Sequence, residues 1–232
     1  RELHSFPTRR SSDLPLGTIK ESVYLLPQNV PLKDQIFSGK SVVSGGSVQN
    51  VHYILYVPPE AYFSIPNSAE RNKLERAIGK LNAALADETF ICVGPGRWGT
   101  SNPDLGVHVD YGDIYNAKAL VELTGGSVGI PDEPSLGTHF FQDLLEGQIY
   151  PIAVNLSKDK FQREFFEASP NHLSDWITPE AGLETRLRLI QVSDASPNSH
   201  LDLVIDDATG QALAFLIHER EISSEGRQVI VP

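Results

Sequence analysis

Between residues 67 and 86 apolar side chains return every three or four positions, and Leu74, Ile78, Leu81 and Leu85 fall on one face while Glu, Arg, Lys and Asn fill the rest. That spacing predicts an amphipathic helix over 69–86. Asn67 or Ser68 stands at its start as a cap, and Glu70, three residues beyond Asn67, completes a capping-box pattern. Upstream, residues 19–57 read as strands joined by turns: VYLL near Val23 and VHYILYV at 51–57 are separated by Gly and Ser runs such as SGGS at 44–47. Pro58, Pro59 and Pro66 then break the chain before the helix.

A short apolar strand over 89–93 follows the helix directly, and helix then strand with few residues between marks α/β layering. Residues 114–123 pass from helix-like to strand-like text with no clear boundary. A helix is expected over 138–146, ended by Gly147, with Phe141, Leu144 and Leu145 inward. A strand over 149–154 and a helix over 159–168 with Phe161, Phe165 and Phe166 inward come next. Strands over 187–192 and 201–205 lead to DDATG at 206–210, a turn into 212–217. The expected fold is α/β, a mixed sheet with flanking helices and a C-terminal β-hairpin. It forms one domain over 15–219, with 220–232 a tail or an edge strand. No internal repeat is visible.

Composition adds exclusions. The chain has 232 residues, 19 Lys plus Arg against 30 Asp plus Glu, and a formal net charge of −11. Nucleic-acid affinity rests on cations displacing counterions from phosphates, so no nucleic-acid partner is expected. A small anionic ligand is still allowed, because a local cluster of N–H groups and one arginine outweighs a distant field screened over about 10 Å. No run of about 18 apolar residues occurs, so no membrane partner is expected. The single cysteine, Cys92, makes no internal disulfide, which suits a reducing compartment, and the expected location is cytoplasmic.

The segment HSFPTRRSSDL at 4–14 resembles a translated sequencing adapter, so residues 1–14 are set aside from fold reasoning as an expected artefact. If so, the true upstream sequence is missing.

The stretch ICVGPGRWGTSNPDLG at 91–106 carries a G-x-G-x-x-G pattern at Gly94, Gly96 and Gly99, at the end of an expected strand. A dinucleotide fingerprint needs the third glycine to open a helix and an acidic residue about 20 positions later. Pro103 and Gly106 prevent a helix of useful length, and Pro95 removes an N–H where donors are needed. The segment is not a P-loop either, since no Gly-Lys-Ser or Gly-Lys-Thr ends it. What is left is a glycine-rich turn bearing Arg97, a planar fork suited to a carboxylate or phosphate, and Trp98. The competing structural reading pairs Arg97 with Asp104 or Asp110 and packs Trp98 in the core. In SLGTHFFQDL at 135–144, Thr138 is a good N-cap and places His139 in the first turn, where the helix dipole favours neutral imidazole and an anion. The alternative is a histidine that bonds a neighbouring carbonyl.

No H-E-x-x-H, C-x-x-C or G-x-S-x-G motif is present, and no histidine pair has metal-ligand spacing, so no metal is expected. Cys92 would be a nucleophile only if exposed, and its strand position argues against that.

FICVGPGRWGTSNPDLGVHVDYGDIYNAKALVE and PSLGTHFFQDLLEGQIYPIAV resemble the C-terminal region of PEP/pyruvate-binding domain proteins, of the pyruvate phosphate dikinase and phosphoenolpyruvate synthase type. The resemblance covers roughly residues 16–218. It implies an upstream ATP-grasp-like domain of the same polypeptide as partner, which would carry ATP and Mg2+, with no cofactor in the region itself. The departures are equally informative: the threonine-serine-histidine segment of true dikinases is absent, TGGSVG at 124–129 sharing only the glycines, and there is no room for the barrel that binds pyruvate. The chain is not expected to run the dikinase reaction alone. The resemblance implies an accessory region of a phosphotransferase that binds an anionic group or docks on the ATP-binding domain. Its expected ligand-binding residues are Gly94, Gly96, Arg97, Trp98, Gly99, Thr138 and His139, with catalytic residues unknown. The alternatives are a structural interaction module without a ligand, and an independent small-molecule enzyme using Arg97 and His139.

Overall fold

The computed structural model describes residues 23–43, 45–126 and 138–219. The expected adapter segment, the 220–232 tail, the second half of TGGSVG and Ser135 to Gly137 of the second motif lie outside them. One nine-stranded mixed sheet organises the molecule. Its parallel centre is β3 (Tyr53–Tyr56), β4 (Phe90–Pro95), β5 (Ala119–Thr124) and β6 (Tyr150–Asn155). On one side follow β1 (Gln35–Ser41), β9 (Gln211–His218), β8 (Ser199–Ile205) and β2 (Gly46–Val51), all antiparallel, and on the other side antiparallel β7 (Arg188–Gln191). The expected C-terminal hairpin is β8–β9. The fold is therefore the α/β mixed sheet with flanking helices that the pattern predicts.

The strand order runs β2-β8-β9-β1-β6-β5-β4-β3-β7, which puts β2 and β3 seven steps apart. At about 4.8 Å per step a flat sheet would separate them by roughly 34 Å. Yet His52 alone lies between Val51 and Tyr53, and two peptide links reach about 7.6 Å at most. The sheet must curl until its ends meet. Its inner face is one apolar cluster to which all nine strands contribute, among them Ile36, Val48, Ile54, Val121, Ile152 and Leu203. Phe166, from α4 (Arg163–Ala168), joins that cluster and stacks on Phe161 with ring centroids 4.4 Å apart.

The outer face of the parallel strands is covered by α1 (Pro59–Phe63), α2 (Ser68–Ala84), the 3-10 turn Tyr111–Asp113 and α3 (His139–Glu146), with α5 (Leu173–Trp176) completing a second cluster. A last short helix, α6 (Val192–Ala195), links β7 to β8. Because β4 and β5 are covered on both faces, every one of their residues is buried; β4 reads as an unbroken apolar run, whereas β5 carries Glu122 and Thr124 among its apolar residues. Burial pushes the Cys92 thiol well above its usual range, since the thiolate would lose its hydration.

Three local expectations are corrected. VYLL near Val23 forms no strand, although Tyr24 exchanges hydrogen bonds with Asp207. The expected 159–168 helix begins only at Arg163, because Phe161 bridges to Phe37 of β1. Leu145 is not inward: of its helix only Leu144 is buried, and Leu145 is exposed. Helix α1 follows the Pro58–Pro59 break, where proline suits the first helical turn. The Asn67 cap forms as expected, its Oδ1 accepting from the Glu70 N–H at 3.0 Å, while the Glu70 carboxylate turns to Lys73 and Arg186.

Asn67→Ala should cost about 1 kcal/mol and lower Tm by about 2–4 °C, read by thermal unfolding. Cys92 should resist a thiol-specific aromatic disulfide in the folded protein and react at once in denaturant; equal rates in both would refute its burial.

Candidate functional site at the glycine loop

Strand β4 hands the chain to the glycine loop at Pro95. Gly96 adopts φ +65°, and its N–H donates to Leu123 O at 2.8 Å. Arg97 N–H then donates to Leu105 O at 2.9 Å and Gly99 N–H to Val107 O at 3.0 Å, so the loop pairs with its own return limb. Trp98 N–H donates to Glu122 Oε1 at 3.2 Å. Tyr62 of α1 closes the loop from outside, its hydroxyl donating to Gly106 O at 2.5 Å. All four N–H groups from Gly96 to Gly99 thus have acceptors inside the protein, one of them a carboxylate.

The glycines make room for rings and backbone. A Cβ on Gly94 would lie 2.7 Å from Trp98 Cζ2, one on Gly96 would strike Leu105 O, and one on Gly99, at φ +72°, would strike the Phe140 ring. Trp98 is buried, so its ring is part of the outer core. Its Nε1–H is also buried and has no acceptor, a state that costs about 1–3 kcal/mol until one is supplied.

The Phe140 contact brings the two expected motifs together. Thr138 caps α3, its Oγ1 accepting from Phe141 N–H at 3.1 Å. The cap leaves His139 exposed at the helix start and turns Phe140 onto Gly99. Arg97 is half-buried and is not without a partner. Of its sequence candidates, Asp104 lies 3.9 Å from Arg71, and Asp110 forms a capping box with Asp113.

Sequence reasoning missed the residues beneath α3. Strand register aligns Gly94 with Glu122, Glu122 with Ala153 and Ala153 with Lys40, a row across four strands. Over this row lies an apolar cavity of about 210 Å3, walled by Leu120, Phe140, Phe141, Leu144 and Ile152 and bordered by Glu122 and Lys40. Glu122 is 7% exposed, and the Trp98 N–H meets its carboxylate. Val42, which lines the cavity, is 57% exposed, and Leu145 on α3 is 41% exposed. Neither Glu122 nor Lys40 has a local signal, because their alignment depends on three strand pairings.

Among the described residues no group of three or more His, Cys, Asp or Glu is placed to hold a metal ion, and no helix is long and apolar enough to cross a membrane. No protein family, curated protein or solved structure matches the chain.

Gly99→Ala combines a left-handed backbone with a ring collision and should cost about 2–4 kcal/mol. Gly112→Ala, in open space, should be neutral or stabilising by up to about 1 kcal/mol. Paired urea titrations check both, and equal stability of the two variants would refute the packing role of Gly99.

Proposed function

We propose that this chain is the accessory C-terminal region of a phosphotransferase of the phosphoenolpyruvate synthase and pyruvate phosphate dikinase type, and that its glycine-loop face docks on the ATP-grasp-like domain of the same polypeptide. The observation that carries the reading is the contact between Gly99 and Phe140: the two segments that bear the family resemblance interlock and wall one apolar cavity. Val42 at its rim, and Leu145 on the exposed side of α3, supply exposed apolar surface of the kind an interdomain contact covers. The loop N–H groups are already engaged, so docking is better supported than a backbone cradle for phosphate.

A second reading keeps the anionic ligand but moves it to side chains. Arg97, the exposed His139 and Lys40 at the cavity border are the groups that would hold it. ATP and Mg2+ belong to the upstream domain in either case.

Hydrogen exchange of the polypeptide with and without the upstream domain separates the two. Docking predicts protection of the end of β1 and of α3 when that domain is present, and no Tm shift of residues 15–232 with ATP, AMP, phosphoenolpyruvate, pyruvate or phosphate, with or without Mg2+. A shift of several degrees with one anion, lost in a folded Arg97→Ala variant, would replace docking by ligand binding. Unchanged exchange on α3 would refute docking.

A further inference from the structure

Where β1, β8 and β9 lie side by side, three residues far apart in sequence form a continuous hydrogen-bonded relay. Asp34, just before β1, has a side chain only 10% exposed, and its Oδ1 lies 3.0 Å from His218 Nε2 at the end of β9. His218 Nδ1 lies 2.8 Å from Ser199 Oγ at the start of β8. Ser199 and His218 are register partners, so both side chains leave the same face of the hairpin. That is the inner face: Ser199 continues the row of Leu201, Leu203 and Ile205, and His218 the row of Ala212, Ala214 and Leu216. The relay therefore sits at the rim of the curled sheet's apolar interior.

The hydrogen bonds set the proton positions. An ionised Asp34 only accepts, so Nε2 carries the proton and Nδ1 presents its lone pair to Ser199. The Ser199 hydroxyl has three neighbours that can accept its proton, His218 Nδ1 at 2.8 Å, Ser196 Oγ at 3.1 Å and Pro197 O at 3.2 Å, and the shortest contact is the imidazole. Nucleophile, base and the carboxylate that orients the base are thus in line, with the two ring nitrogens exchanged relative to the familiar serine-protease arrangement.

Two open grooves meet at this point. One, of about 560 Å3, is lined by Asp34, His218 and Ser196 together with Ile36, Phe165 and Leu216. The other, of about 480 Å3, is lined by Ser199 with Asn198, His200 and Asp194. Asp194 borders both. The His218 side chain is 49% exposed, whereas Ser199 is 6% exposed and is reached through the second groove. Asn198, directly before Ser199, holds a left-handed backbone at φ +53°, a conformation that clusters at functional turns.

We propose that Ser199, His218 and Asp34 form a nucleophilic site that hydrolyses small carboxylic esters with an apolar acyl or aryl part. Ser199 Oγ attacks the ester carbonyl carbon while its proton passes to His218 Nδ1. The bond from that carbon to the leaving oxygen then breaks, and the proton moves from Nδ1 to the departing alcohol. Water attacks the acyl-serine, giving one proton to Nδ1; the carboxylic acid leaves and Ser199 regains its proton. Asn198 borders the groove directly before Ser199. Asp34 is a positioning residue that holds the ring and balances the imidazolium.

The test uses the whole chain with a fluorophosphonate probe and with p-nitrophenyl acetate. The folded protein should take up about one phosphonyl group, mapped to the Ser199 peptide by mass spectrometry, and lose the reaction on heat denaturation. Ser157→Ala, on an exposed turn outside both grooves, should keep the label. His218→Gln should slow labelling roughly 100-fold or more, and Asp34→Asn should lower kcat for the acetate ester with KM retained. No label on Ser199 in the folded wild type overturns the proposal whatever the variants do, as does equal labelling of folded and denatured protein, or an unchanged rate in a folded His218→Gln variant.

Discussion

The link through His52 governs this structure. One residue joins strands that stand first and eighth in a nine-stranded order, and a peptide link cannot stretch across a flat sheet of that width. Curling is thus a covalent necessity, and the apolar interior follows from it. Side chains on the inner face of every strand have nowhere to go but one shared cluster, at the density of an organic solid. The outer face of the parallel strands then needs its own cover, which α2 and its neighbours provide. Two cores on opposite faces of one sheet explain why every residue of β4 and β5 is buried, Glu122 included.

Both sites described above are consequences of that arrangement. The glycine loop lies where β4 leaves the sheet, and its compactness comes from pairing with its own return limb and from rings seated on Gly94 and Gly99. The cavity under α3 exists because register places Ala153 between Glu122 and Lys40. The Asp34–His218–Ser199 relay stands at the rim of the inner core, where apolar rows on β8 and β9 end in polar residues. Each site joins strands that are distant in sequence and adjacent in the sheet.

The local grammar of the chain was largely readable. The Asn67 cap, the Leu74, Ile78, Leu81 face, the Thr138 cap and the hairpin turn at 206–210 are set by side chains within a few residues, and the structure contains all of them. Readings failed where tertiary partners decided. Leu145 carries the right spacing for burial but faces solvent, because α3 lies on the sheet through Leu144 and Phe140. Phe161 belongs to a bridge with Phe37, 124 positions away, and so cannot open α4. No helix opens at Gly99 of the G-x-G-x-x-G pattern, as Pro103 led one to expect, but sequence offered no view of the rings these glycines accommodate.

What the sequence determined by itself is therefore the class of fold, an α/β mixed sheet closed by a hairpin, together with helix starts, turns and the acidic balance. These depend on periodicity and on short-range hydrogen bonds, both written in consecutive residues. Only the tertiary structure decided strand order, the curl, and which polar groups meet: Trp98 with Glu122, Phe140 with Gly99, and Asp34 with His218 and Ser199. The reason is physical. A side chain's periodicity fixes the face it points to, but its neighbour on that face is set by strand pairing, and pairing here joins residues up to 180 positions apart, Gln35 with Phe215.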